Sequence, residues 1–132
     1  MIQYHTEETN FILKSKRKTS AWIKKTIENE GFYLNDLNYI FCSDEFLLKV
    51  NLEYLQHDTL TDIITFDNSE DDNIVEGDIF ISINRVKENA ELFCITFENE
   101  LHRVLIHGVL HLLKAGGVGN SLEAEAQKIP AI

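Results

Sequence analysis

The run Phe97–Leu113, FENELHRVLIHGVLHLL, decides the reading of this chain. Thr96 stands where an N-cap belongs, and Glu98 and Glu100 fall in the first turn, where carboxylates suit the positive end of a helix. Leu101, Val104, Leu105, Ile106, Val109, Leu110, Leu112 and Leu113 make the segment apolar on nearly every side, so a largely buried helix is predicted. Within it, His107 and His111 are four residues apart. On a helix that spacing puts both imidazoles on one face, with Cβ atoms about 5–6 Å apart. Two imidazoles so placed can reach one ion, at roughly 2.0–2.1 Å from each nitrogen for zinc. Burial of unpartnered imidazoles is costly, so the pair is expected either to ligate a metal or to hydrogen-bond to backbone carbonyls inside the core. Gly108 between them lets another group come close, at about 1 kcal/mol of helix propensity. It also occupies the place of the glutamate in His-Glu-x-x-His, which argues against a peptidase that uses that residue as base.

Outward from this helix, strands and helices alternate. Residues 1–5 suit a short strand, and Thr19 to Glu30 a helix whose apolar side is Ala21, Trp22, Ile23 and Ile27, stopped by Gly31. Leu37 to Cys42 reads as a strand. Ser43 caps a helix that should turn Phe46, Leu47, Val50 and Tyr54 inward. Ile63 to Phe66 and, after Gly77, Asp78 to Ile83 are β-branched runs and hence strands, and Ser82 or Asn84 caps a helix through Leu92. The pattern βαβαββαα is that of an α+β or α/β domain with a mixed sheet. Ala115 to Ser121 is a glycine-rich run that should end the last helix, and Leu122 to Lys128 has few apolar anchors.

The 132 residues fit one domain with one core, large enough to be stable without a structural metal, so a metal here would serve chemistry. No apolar run reaches the ~20 residues needed to span a bilayer, and Met1 to Asn10 is polar and acidic, unlike a secretory signal. Cys42 and Cys94 have no second cysteine at ligand spacing, which excludes a zinc ribbon; two buried, reduced thiols and a cytoplasmic location are expected. A net charge of −10 argues against tight non-specific binding of nucleic acid, DNA included. Yet six of the twelve basic residues, Lys14, Lys16, Arg17, Lys18, Lys24 and Lys25, crowd one segment that could meet phosphates or simply be a solvated helix start.

The other polar signals are weaker. Asp67 to Asn73 is acidic, but Asp72 replaces the glycine an EF-hand loop requires, so a solvated loop is expected. His57 and Asp58 suit a turn. Thr61 and Asp62 precede a buried strand and either line a cleft or cap the turn. His102 lies off the face of the histidine pair and is read as structural. No side chain stands out as a general base, and no Ser-His-Asp or Cys-His arrangement can be built from spacing.

Three ordered segments resemble the YbeY-like metal-dependent endoribonucleases, a family implicated in rRNA maturation and ribosome quality control. They are N-L-E-Y-L-Q-H-D-T-L-T-D-I-I-T-F from Asn51 to Phe66, G-D-I-F-I-S from Gly77 to Ser82, and H-G-V-L-H-L from His107 to Leu112. The resemblance covers about residues 1–112. It implies one α+β domain over residues 1–132, with a mixed sheet of about four strands and the histidine pair on the last long helix. It further implies a hydrolase that cleaves single-stranded RNA. One zinc per chain is expected, with His107 and His111 among three histidine ligands and Thr61 and Asp62 contacting substrate. RNA, rRNA in particular, and the ribosome or its proteins are the implied partners, with no membrane or DNA. Three positions depart from the family pattern. Gly117 stands where the third histidine belongs and cannot ligate through a side chain; no Asp follows residue 78, and Glu123 or Glu125 is the remaining oxygen donor for that role. Leu55 replaces an arginine, and Leu60 a proline. Residues 113–132 form a divergent tail, and with no third histidine an inactive chain is one expectation. Two other functions therefore stay open: a non-catalytic RNA- or ribosome-associated module, and a metal-dependent peptidase-like hydrolase.

Overall fold

The computed structural model describes residues 1–56 and 61–113. His57, Asp58, Leu60, Gly117, Glu123 and Glu125 lie outside the described residues, as do the glycine-rich run and the tail beyond it. Chain order is β1 (Ile2–Glu7), α1 (Lys16–Asn29), β2 (Tyr33–Cys42), α2 (Asp44–Val50), a π-helical turn (Asn51–Leu55), β3 (Ile63–Asp67), β4 (Ile74–Ser82), α3 (Ile83–Leu92) and α4 (Phe97–Leu113). This is the βαβαββαα order read from the sequence, with β2 and β4 each longer at the start. The four strands form one mixed sheet in the order β1-β2-β4-β3. β1 and β4 pair parallel to β2, and β3 runs antiparallel to β4. With helices added, the fold is α+β.

The period of two along the strands sends side chains to two cores. Leu37, Tyr39 and Phe41 of β2 and Val75, Ile79 and Ile81 of β4 meet α1, α3 and α4 in the larger one. Cys42 and Ile64 meet Leu47 and Val50 of α2 on the opposite face, with Phe66 and Phe80 packed against them. Gly77 is required where β3 and β4 pair: a Cβ there would collide with the backbone oxygen of Phe66.

The expected caps form. Ser43 Oγ accepts from the Phe46 amide at 3.1 Å. Of the two candidates before α3, Ser82 is the cap, accepting from the Arg85 amide at 3.2 Å, while Asn84 Oδ1 accepts from the Asp44 amide and ties α3 to α2.

Three expectations fail. Tyr54 is exposed, with its ring edge-on to Phe66, because α2 ends at Val50 and the wider π turn rotates the next residues out of helical phase. Ala21 lies on the solvent side of α1, whose buried stripe is Thr19, Ile23 and Ile27. Cys94 is exposed at a positive φ in the α3–α4 connection; only Cys42 is buried, and burial first, then Asp44, Glu7 and Glu8, pushes its thiol up to about 12.

Candidate functional site

Helix α4 is fixed at its start by Thr96, whose Oγ1 accepts from the Asn99 amide at 3.1 Å. It is held to the sheet at two further points. The phenol of fully buried Tyr39 donates to the carbonyl of Leu105 at 2.8 Å, and burial raises that phenol well above its ordinary range. Gly108 lies directly against Ile79 and Ile63, so the helix axis approaches β3 and β4 closely.

From Glu100 to Leu113 every residue of this helix is buried except three: Arg103 and His107 are partly exposed and His111 is exposed. They are spaced i, i+4, i+8 and form one stripe. The expectation that the two imidazoles are buried is thus corrected. An all-round apolar helix still needs one face toward solvent when sheet and helices cover the others, and here that face is the histidine face. The pair itself is tightly convergent: Nε2 of His107 and Nε2 of His111 are 2.8 Å apart, with ring centroids 4.5 Å apart. At this distance one nitrogen donates and the other accepts. Two ligands of a tetrahedral zinc sit roughly 3.3 Å apart, given bonds of about 2.0–2.1 Å, so a small opening of the rings would seat an ion between them. The donor set of two convergent imidazole nitrogens therefore fits zinc as two of its ligands. Among the described residues no third histidine, cysteine or carboxylate joins them.

At the other end of the stripe, Arg103 is held by a carboxylate pair. Its Nε and Nη2 each donate at 2.8 Å to the two oxygens of Glu100, whose side chain is 0% exposed. Asp62 Oδ2 lies 3.8 Å from Nη2. The hydrogen bond to Glu100 raises the guanidinium above its ordinary range, outweighing burial, with Glu100 and Asp62 charges adding to it. Asp62 thus stands beside the stripe, and its carbonyl accepts from the Ser82 amide at 3.0 Å, which fixes the start of β3 to the end of β4. The Thr61 hydroxyl donates to the carbonyl of Ile63 at 3.3 Å, closing the turn. Sequence reasoning missed Arg103 and Glu100. The signal was present, since Arg103 precedes His107 by the same four residues that separate the histidines, and Glu100 precedes Arg103 by three.

His102 points away from the stripe. It is buried, edge-on to Trp22 with centroids 5.7 Å apart, and its Nδ1 has no hydrogen-bond partner among the described residues. Burial lowers its pKa, with Glu98 opposing. The basic residues Lys14, Lys16, Arg17, Lys18, Lys24 and Lys25 are all exposed, on and just before α1. In the acidic loop Asp67 Oδ1 accepts from the Ser69 amide, and Asp71 and Asp72 are exposed, a solvated turn.

Comparison with known proteins agrees with this architecture. The family model described as Endoribonuclease YbeY matches residues 2–116. A protein of Cytophaga hutchinsonii named Endoribonuclease YbeY is 51% identical over 111 residues, covering 84% of this chain and 78% of that protein. One of the same name from Phocaeicola vulgatus is 46% identical over 136 residues, covering 100% of this chain and 98% of that protein, so this alignment runs through the tail. Among solved structures, the solution structure of TM1509 from Thermotoga maritima matches with a TM-score of 0.63 at 29% identity, covering 97% of this chain and 85% of that one.

Proposed function

The chain belongs to the Endoribonuclease YbeY family, and from that premise we propose that it is a metal-dependent endoribonuclease that cuts single-stranded RNA during rRNA maturation and ribosome quality control in the cytoplasm. One observation carries the metal part of this reading: the two Nε2 atoms of His107 and His111 converge to 2.8 Å on the face of α4 that solvent reaches. These two residues would hold one zinc ion per chain. When bound, such an ion supplies Lewis-acid polarisation of a phosphate and activation of water.

The chain's own residues do the rest. Tyr39 fixes the helix to the sheet through the Leu105 carbonyl, and Glu100 fixes Arg103 within the stripe. Asp62, beside Arg103, flanks the stripe, and Thr61 closes the turn before β3 through its bond to the Ile63 carbonyl. The partners of such an enzyme are rRNA and the ribosome or its proteins.

Metal analysis of the purified protein tests the site. The wild type should retain about one zinc per chain, the stoichiometry of one such site, and His107→Ala and His111→Ala should each lose it. Cleavage of a single-stranded RNA should then need the metal and stop with a chelator. Unchanged zinc content in both variants would overturn the assignment.

A second reading, a non-catalytic module that associates with RNA or ribosomes, is favoured by Gly117, which offers no side-chain ligand where the family pattern has its third histidine. It predicts co-sedimentation with ribosomes and no RNA cleavage at any added zinc concentration.

A further inference from the structure

We propose that Arg103 is the phosphate-binding residue of this site, gripping the backbone of single-stranded RNA beside the histidine pair, and that Glu100 is its positioning residue. The inference rests on the RNA-cleaving reading and adds to it the group that holds the substrate.

The first support is the stripe. Arg103 and His107 share one helix face, about 6 Å apart along the axis, and α4 has no other cation on that face. The second is the way the guanidinium is held. Glu100 is fully buried and takes the Nε and Nη2 edge in a two-point fork. That fork fixes the plane of the guanidinium and leaves Nη1, which makes no hydrogen bond among the described residues, on a side chain that is 37% exposed, with Asp62 Oδ2 3.8 Å from the neighbouring Nη2. A planar donor pair held in place before the ligand arrives is what two oxygens of a phosphate require, and the ordering cost is met by folding rather than by binding. The third is charge. A chain of net charge −10 repels a polyanion, so the site needs a local cation that keeps its proton at every working pH. Arg103 is such a group, since Glu100 raises its pKa further.

Glu100 and Asp62 together outweigh the single guanidinium in formal charge. A cation at the histidine pair therefore adds to the pull of Arg103 on phosphate, and RNA affinity and metal occupancy are coupled.

The probe is a single-stranded 2′-O-methyl RNA oligonucleotide, which binds but is not cut, titrated by fluorescence anisotropy at several salt concentrations with zinc present and with chelator. Because Arg103→Gln alone strands the Glu100 carboxylate, the decisive variant is Glu100→Gln/Arg103→Gln, in which two amides replace the ion pair and thermal unfolding checks the fold. Relative to wild type it should weaken binding roughly tenfold to a hundredfold, the range for one charge-assisted contact. It should also lower the slope of log affinity against log salt by about 0.7, one phosphate contact fewer on a single strand. Arg103→Lys, which keeps the charge and loses the fork, should keep the slope and recover only part of the affinity. A folded double variant with wild-type affinity and salt slope overturns the proposal while leaving the nuclease reading intact. A wild type that neither binds the oligonucleotide nor cleaves RNA with zinc overturns both.

Discussion

Gly108 and Ile79 touch so closely that a Cβ on the glycine would lie 2.7 Å from Ile79 Cγ2, and 2.9 Å from Ile63 Cδ1. The glycine between the two histidines is therefore a packing requirement of α4 on the sheet. Gly108→Ala would gain about 1 kcal/mol of helix propensity and lose more to overpacking, which costs about 1–3 kcal/mol. The expected result in urea unfolding is a net loss of stability that becomes smaller in an Ile79→Ala background, where the nearest atom is gone. A stabilised Gly108→Ala protein would show that the contact yields freely.

Tyr39→Phe removes the buried hydroxyl that donates to Leu105. The Leu105 carbonyl lies mid-helix and keeps a helical partner, so the loss should be about 0.5–1.5 kcal/mol by chemical denaturation, with zinc retention unchanged.

Breaking the Glu100–Arg103 fork from one side should cost more. Arg103→Ala leaves a carboxylate that is 0% exposed without its partner. About 3 kcal/mol is expected, the lower end for a broken buried pair, because Arg103 itself is 37% exposed. Glu100→Gln/Arg103→Gln should recover most of that loss; thermal unfolding of the three proteins checks the order.

His102 predicts a pH dependence. Burial depresses its pKa below the ordinary value of 6.5. The unfolded chain therefore takes up a proton first as pH falls, and the stability present above 6.5 is lost as pH falls through the lower folded value. His102→Phe keeps the aromatic contact with Trp22 and removes the unpartnered Nδ1. Its stability should match or exceed the wild type near neutrality, and the difference in its favour should grow on acidification below 6.5. Parallel pH–stability curves for the two proteins would remove His102 as the cause.

Element order, the Ser43 and Thr96 caps, and the four-residue spacing of His107 and His111 are properties of the sequence by itself, because each depends on neighbours within a few positions. So is the family, which three short motifs in order carry. The tertiary structure decided what local pattern cannot encode. A helix apolar on nearly every side does not say which residues face out; from Glu100 onward the sheet beneath Gly108 and Leu105, with the surrounding core, covers every face of α4 except that of Arg103, His107 and His111. Asp62 meets Arg103 only because β3 lies beside α4, forty-one residues away along the chain. Tyr54 turned outward because a π turn broke the helical phase that periodicity assumes. Local chemistry chose the histidines, and long-range packing aimed them at solvent and set an arginine next to them.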